Sequence, residues 1–266
     1  MGTHSGKALI TGASSGIGAT YAEKLARRGY NLVLVARDEA RLKALAERLV
    51  VDTGVSVEVL RADLTADADL ANVETRLAAG DVTMLVNNAG MAMTGGLLDN
   101  GPVELTRLIA LNVTAPTRLA SAAGKSFVAK GTGAIINIAS VLALAPEMFD
   151  GVYSGTKAFL LNLSQSMAAT LGPKGVHVQA VLPGATRTEI WERSGTDINA
   201  FPPEMVMFVD DLVDAALVGF DKGETVTIPP LADVGQWYAL QAARLAMAPG
   251  LSRREVGDRY KVAAEA

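Results

Sequence analysis

The sequence predicts an α/β fold: a doubly wound parallel sheet of about seven strands with helices on both faces. Three observations predict it. Short apolar runs alternate with longer amphipathic stretches, as repeated strand–helix units require. Several of those runs are apolar at nearly every position, which suits strands covered on both faces. Gly29, Gly54, Gly80 and Gly131 each fall just after a predicted helix, where a left-handed cap residue is expected.

Taken in order, the chain opens with a strand at 7–11 and a helix at 17–28, then a strand at 31–36 and a helix at 39–51. A strand at 55–61 precedes a helix at 67–79, and a short strand at 84–87 leads to a long helical stretch at 103–130, bent near Pro116. The series continues with a strand at 134–139, a helix at 153–171, a strand at 176–182, a helix at 210–220 and a strand at 225–228. No Pro/Ser-rich linker, repeat or charge block interrupts it, so 1–266 reads as one domain. Two segments depart from the pattern. Residues 183–208 are irregular, as a lid or binding loop is, and 231–266 form an extension with helical periodicity over 236–246.

Composition removes several chemistries. With no cysteine there is no disulfide framework, Cys-ligated zinc, iron–sulfur cluster or thiolate nucleophile, and two histidines cannot build a three-His metal site. His4 lies in a Gly/Ser/Thr-rich leader and His177 inside an apolar strand, so acid–base groups must come from elsewhere and no metal is expected. A net charge of −4 and a pI near 5.3 lack the basic face that nucleic acid needs. The long uncharged run at 82–98 contains Asn87-Asn88 and three glycines, so it is no membrane span. The leading MGTHSGK has no apolar stretch before the first strand, which predicts no signal peptide and a cytoplasmic location.

The first strand runs into Thr11-Gly12-Ala13-Ser14-Ser15-Gly16-Ile17-Gly18 and then a helix. Glycines there let the backbone approach a pyrophosphate while the N–H groups of the helix start point at the anion. The spacing is G-x-x-x-G-x-G, not the common G-x-G-x-x-G. The same residues also match G-x-S-x-G, a nucleophile elbow centred on Ser14, but that chemistry needs a loop histidine and only the strand residue His177 is available. The second strand discriminates between dinucleotides. It ends Ala36-Arg37-Asp38, with alanine where a ribose-binding carboxylate would stand and Arg37 next, which favours NADP(H). Asp38 keeps NAD(H) as the alternative.

Tyr153-Ser-Gly-Thr-Lys157 opens a helix with tyrosine and lysine at i, i+4 on one face. A phenol titrates near 10, too high for proton transfer at neutrality. An ammonium ~4–5 Å away favours phenolate by roughly 3–4 kcal/mol at an effective dielectric near 20, or about two to three pKa units before desolvation opposes it. Ser140 follows the strand at 134–139, and Asn87-Asn88-Ala89-Gly90 and Asp63-Leu64 follow two others, all on the carboxyl edge where ligands bind. Asn112 sits inside a helix, a poor place for a polar side chain unless its amide has a partner.

Together these residues resemble the short-chain dehydrogenase/reductase family in its single-domain, Rossmann-like branch: TGASSGIG at 11–18, Asp63, NNAG at 87–90, Asn112, Ser140, YSGTK at 153–157 and PGATRT at 183–188. The resemblance implies an oxidoreductase in which Tyr153 gives or takes the proton, Ser140 binds the substrate oxygen, Lys157 lowers the phenol pKa and binds the nicotinamide ribose, and Asn112 holds a relay water. It implies a cofactor-binding turn of Gly12, Ser14, Ser15, Gly16, Ile17 and Gly18, with Arg37 on the 2′-phosphate. Asp63 and Leu64 would line the adenine, Asn88, Ala89 and Gly90 the adjoining ribose, and Pro183, Gly184, Thr186 and Thr188 the carboxamide. A non-catalytic dinucleotide sensor on the same fold is the competing class; a binding module has no need of all four of Asn112, Ser140, Tyr153 and Lys157.

The expected partner is a small carbonyl or alcohol. Segments 91–98, 141–152 and 183–208 would rim its pocket with Met91, Met93, Leu142, Leu144, Met148, Phe149, Trp191 and Phe208, favouring an apolar ketone, aldehyde or secondary alcohol. Arg187 and Arg193 could instead meet an acidic group. Relatives pair through the helices corresponding to 103–130 and 153–171, which implies a homodimer or homotetramer.

Overall fold

Seven parallel strands in the order β3-β2-β1-β4-β5-β6-β7 form the centre of the computed structural model, which describes residues 6–148, 151–193, 195 and 197–261. The strands are β1 (Lys7–Thr11), β2 (Asn31–Ala36), β3 (Val57–Arg61), β4 (Met84–Asn87), β5 (Gly133–Ile138), β6 (Val176–Val181) and β7 (Val226–Thr227). The chain runs outward from β1 to β3, then returns to the other side of β1 through β4. That reversal opens a crevice at the carboxyl ends of β1 and β4.

The helices are α1 (Gly16–Arg27), α2 (Glu39–Thr53), α3 (Asp67–Ala78), α4 (Pro102–Ile109), α5 (Ala115–Lys130), α6 (Gly151–Leu171), α7 (Ile190–Arg193), α8 (Val209–Asp221) and α9 (Val234–Ala246). Alternation along the strands sends successive side chains into two cores. Ile10, Leu34 and Ile136 pack with α1, α2 and α8, whereas Leu9, Val33, Leu85 and Ile135 pack with α3, α5 and the end of α6. This double burial is why the inner strands are largely apolar, whereas edge strand β3 exposes Glu58 and Arg61. The four expected cap glycines, Gly29, Gly54, Gly80 and Gly131, all take positive φ.

Two expectations shift. The strand at 55–61 joins the sheet only from Val57, opposite Leu32, and Ser56 N–H is held instead by Asn31 Oδ1 at 2.9 Å. The helix expected over 103–130 is instead two helices, joined by a π-turn at Ala110–Thr114 immediately ahead of Pro116. Proline has no N–H to give the preceding turn, and a widened turn accommodates that loss.

Contacts divide the chain into two compact units, Met1–Pro230 and Leu231–Ala266. The first contains the sheet; the second contains α9 and two short 3-10 turns. Among the described residues no helix is long and apolar enough to cross a membrane.

Candidate active site

The crevice begins at the glycine-rich turn. A Cβ on Gly18 would stand 2.3 Å from the Gly12 carbonyl oxygen and 2.4 Å from Asn88 Nδ2, and one on Gly12 would stand 2.9 Å from Ala89 Cα. The turn is therefore packed onto the 88–89 backbone with no space for side chains. Thr11 and Asn88 hold it: Asn88 N–H and Ala89 N–H both donate to Thr11 Oγ1 at 3.0 Å, and Asn88 Nδ2 donates to Thr11 O at 2.9 Å. Ser14, Ser15, Gly16 and Ile17 lie at the open side of this turn, partly exposed. The Ser15 side chain does not cap α1 and no acidic residue stands in its first turn, so the positive end of the helix is turned to the crevice without a carboxylate of its own. These features fit a dinucleotide diphosphate.

At the end of β2, Arg37 is exposed and, among the described residues, has no hydrogen bond or ion pair. Asp38, the residue that kept NAD(H) in play, is committed elsewhere: its Oδ1 accepts from Arg41 N–H at 3.0 Å and caps α2. The free charge at this position is thus a cation. Asp63 accepts from Thr65 N–H (3.0 Å) and Thr65 Oγ1 (2.7 Å) and so shapes the turn after β3. Burial opposes its ionisation, but those bonds and the nearby Arg37 and Arg107 outweigh it and lower its pKa. Leu64 turns its side chain into the core, leaving its backbone rather than an apolar surface at the edge.

Asn112, Ser140, Tyr153 and Lys157 converge next to this turn. Asn112 is buried in the π-turn, where its amide exchanges two bonds with one residue: Met91 N–H donates to Oδ1 at 3.0 Å and Nδ2 donates to Met91 O at 2.9 Å. Its Nδ2 also reaches Thr156 Oγ1 at 3.2 Å, and Thr156 Oγ1 donates to Tyr153 O at 2.7 Å. The partner whose absence would have made a helical asparagine costly is thus the 91 backbone. Lys157 is buried and donates to Ile138 O at 3.0 Å. A Cβ on Gly90 would lie 3.3 Å from Asn112 Oδ1 and 3.5 Å from Lys157 Nζ, so glycine lets both groups close on the 90 backbone.

Ser140 is held where β5 and β6 end together, with Ala139 N–H on Val181 O at 2.8 Å and Val141 N–H on Pro183 O at 2.9 Å. Its Oγ accepts from Leu142 N–H at 3.2 Å and is hydrogen-bonded to the Tyr153 hydroxyl. Lys157 Nζ lies 5.6 Å from the Tyr153 ring centroid. Here the electrostatic expectation needs correction. Burial pushes the Tyr153 phenol up to about 12, with the Ser140 bond acting the other way, and burial lowers Lys157 to about 8. Desolvation is the larger influence on both groups, and the depression of the phenol expected from the Lys157 charge does not appear.

Sequence reasoning missed the support beneath this cluster. Asn87 Nδ2 donates to Asn137 Oδ1 (2.9 Å), Asn137 Nδ2 to Ser164 Oγ (2.8 Å) and Ser164 Oγ to Leu160 O (2.7 Å). This buried line ties β4 and β5 to α6. The signal was an asparagine inside the otherwise apolar run at 134–139.

Segment 183–208 carries the short α7, two 3-10 turns and a bridge between Thr186 and Met207. Thr186 is buried with its Oγ1 on Gly184 O at 3.0 Å, and Gly184 sits beside Pro230. Thr188, expected at the carboxamide, lies over Gly16, where an added Cβ would meet it at 3.2 Å. Of the expected rim, Met93 is buried, Met91, Leu142 and Trp191 are partly buried, and Leu144, Met148 and Phe208 are exposed. Phe149, the Arg193 side chain and His4 lie outside the described residues. His177 is half-buried in β6 with its ring edge-on to Phe220, a packing position.

The short chain dehydrogenase family profile matches residues 6–199. A solved short-chain dehydrogenase from Sphingobium yanoikuyae, in complex with NADPH, superimposes with a TM-score of 0.94 at 56% identity, covering 96% of this chain and 100% of that one. The bulky-bulky ketone specific alcohol dehydrogenase of Comamonas testosteroni superimposes with a TM-score of 0.90 at 49% identity, over 97% and 99% of the two chains. The human 17-beta-hydroxysteroid dehydrogenase type 3 is 34% identical over 193 residues, which are 72% of this chain; the chain spans 62% of that protein's length.

Proposed function

The chain belongs to the short chain dehydrogenase family, and we propose that it is an NADP(H)-dependent oxidoreductase acting on a ketone or secondary alcohol with bulky apolar substituents. The observation that carries this reading is the convergence of Asn112, Ser140, Tyr153 and Lys157 on the carboxyl edge, beside a glycine cradle that excludes side chains. A sensor would need only the cradle. The cofactor would supply the hydride.

The residues would divide the remaining work. Ser140, whose Oγ accepts from Leu142 N–H, would turn its own proton from the Tyr153 hydroxyl to the substrate oxygen as negative charge develops there. Tyr153 donates the proton to that oxygen during reduction and withdraws it during oxidation. Lys157, positioned through Ile138 O, would stabilise the phenolate left behind and would hold a ribose hydroxyl of the cofactor. Asn112, buried with its amide engaged by Met91 and Thr156, fixes the 91 backbone, and the relay water that the family resemblance implies would have to be held through the one remaining lone pair of its Oδ1 or through the backbone it positions. Arg37 would pair with the 2′-phosphate while Asp38 remains on its helix.

The exposed Leu144, Met148 and Phe208 support an apolar substrate, as does the likeness to an enzyme described as specific for bulky-bulky ketones. A panel of diaryl and aryl-alkyl ketones against free sugars, followed through NADPH absorbance, tests this. Faster turnover on sugars would contradict it.

The pH profile follows from the two displaced groups. A phenol near 12 keeps its proton across the working range, so the available proton does not limit reduction. Lys157, near 8, loses its charge as pH rises and with it the stabilisation of the phenolate. Ketone reduction should therefore be level below about pH 8 and fall above it, and Lys157→Met should remove that inflection. A rate level to pH 10 in the native enzyme would count against this role.

The outer face of α6, with Gly155, Phe159 and Asn162 exposed, supports self-association of the kind the family resemblance implies. Light scattering should give a dimer or tetramer mass; a monomer mass contradicts it.

A further inference from the structure

Segment 183–208 is fastened at three places. Its base is pinned by the backbone, with Met207 N–H on Ala185 O at 2.9 Å and Arg187 N–H on Met207 O at 3.0 Å. Its interior is braced by Trp191, whose Nε1 donates to Thr186 O at 2.7 Å and whose ring lies 5.2 Å from that of Phe201. The third fastening reaches another element. Arg41 Nη1 donates to both carboxylate oxygens of Glu189, at 3.0 and 2.8 Å.

The location of that pair gives it meaning. Arg41 stands in the first turn of α2, one helical turn past Arg37, and its Nε also lies 3.5 Å from the capping Asp38. Glu189 directly follows Thr188, which covers Gly16 at the start of α1. The segment therefore leaves the end of β6, crosses the glycine-rich turn and is tied down at the start of α2. That path covers the ground assigned above to the diphosphate and adenosine ribose. Other long-range ion pairs, such as Lys24 with Asp214 or Arg118 with Glu74, join helices that already share a core, whereas Arg41 and Glu189 join a helix to a loop across an open edge. The positive end of α2 adds to the attraction for Glu189.

We propose that the Arg41–Glu189 pair is a strap that holds the stretch Thr186–Trp191 closed over a dinucleotide in the crevice and must open before the cofactor can leave. The proposal rests on the dinucleotide-binding reading above. It assigns both residues a positioning role: they touch neither the reacting carbon nor the transferred proton, and they govern cofactor residence rather than hydride transfer. Both side chains are about half exposed, so the strap is weak and salt-sensitive.

Stopped-flow release of NADPH and of NADH from the full chain, read by nicotinamide fluorescence, tests it with Glu189→Gln, Arg41→Gln and the double variant. Each single substitution should speed release of both cofactors about threefold at low salt, an effect of the size exposed pairs have. The double variant should be no faster than either single one, and the difference should vanish at about 0.5 M salt. Single-turnover ketone reduction should keep its rate. Unchanged release in Glu189→Gln overturns the strap. So does an Arg41→Gln effect confined to NADPH, which would make Arg41 a phosphate ligand instead. A native chain that binds neither cofactor fails the functional reading and the strap together, whereas native binding with unaltered release in the variants fails the strap alone.

Discussion

Tyr153→Phe should lower ketone reduction about 10³-fold while NADPH affinity stays within about twofold of the native value, since positioned proton transfer contributes roughly 10²–10⁴. Phenylalanine keeps the ring that packs beside Lys157 Nζ, and the backbone carbonyl that accepts from Thr156 Oγ1 is untouched. The substitution therefore removes one hydroxyl and its bond to Ser140, leaving the cradle intact. Thermal unfolding of the variant in the presence of NADPH separates lost chemistry from lost folding. Turnover within tenfold of native would mean that the proton comes from another group.

Arg37→Ala should weaken NADPH binding by about 10- to 100-fold, the range of one lost charge-assisted bond, and leave NADH nearly unchanged. The reason is local. Arg37 is exposed with no hydrogen bond or ion pair among the described residues, so its charge is available to a ligand; Asp38 is engaged by Arg41 N–H and cannot serve a ribose without uncapping α2. Titration of both cofactors by nicotinamide fluorescence gives the comparison. Equal losses for NADPH and NADH would show that Arg37 does not contact the 2′-phosphate.

The alternation of apolar runs with amphipathic stretches was enough to locate the strands of the sheet, because an inner strand buried on both faces has almost no freedom in composition and the edge strand β3 still keeps valine and leucine between its charged residues. Helix ends were legible where glycine takes positive φ, as at Gly54 and Gly131. Three features were not readable. The π-turn at Ala110–Thr114 accommodates Pro116 but is fixed by Asn112 meeting the Met91 backbone, a contact spanning 21 residues that periodicity does not encode. The Tyr153 phenol depends on its surroundings: the i, i+4 spacing places an ammonium near the ring but does not encode the desolvation that dominates both groups. Arg41 and Glu189, 148 positions apart, likewise carry no local signal. What the sequence placed at the strand ends was the set of side chains; what folding added was the backbone that holds them, at Met91, Ile138 and Thr11.

Transfer of isotope from cofactor to product addresses the central claim most directly. The native chain, incubated with NADPH dideuterated at the nicotinamide C4 and an aryl-alkyl ketone, should yield an alcohol bearing one deuterium on the carbinol carbon, with NADH giving much less product. Retention of the ketone under saturating NADPH, or an alcohol without deuterium at that carbon, would contradict an oxidoreductase built on Ser140, Tyr153 and Lys157.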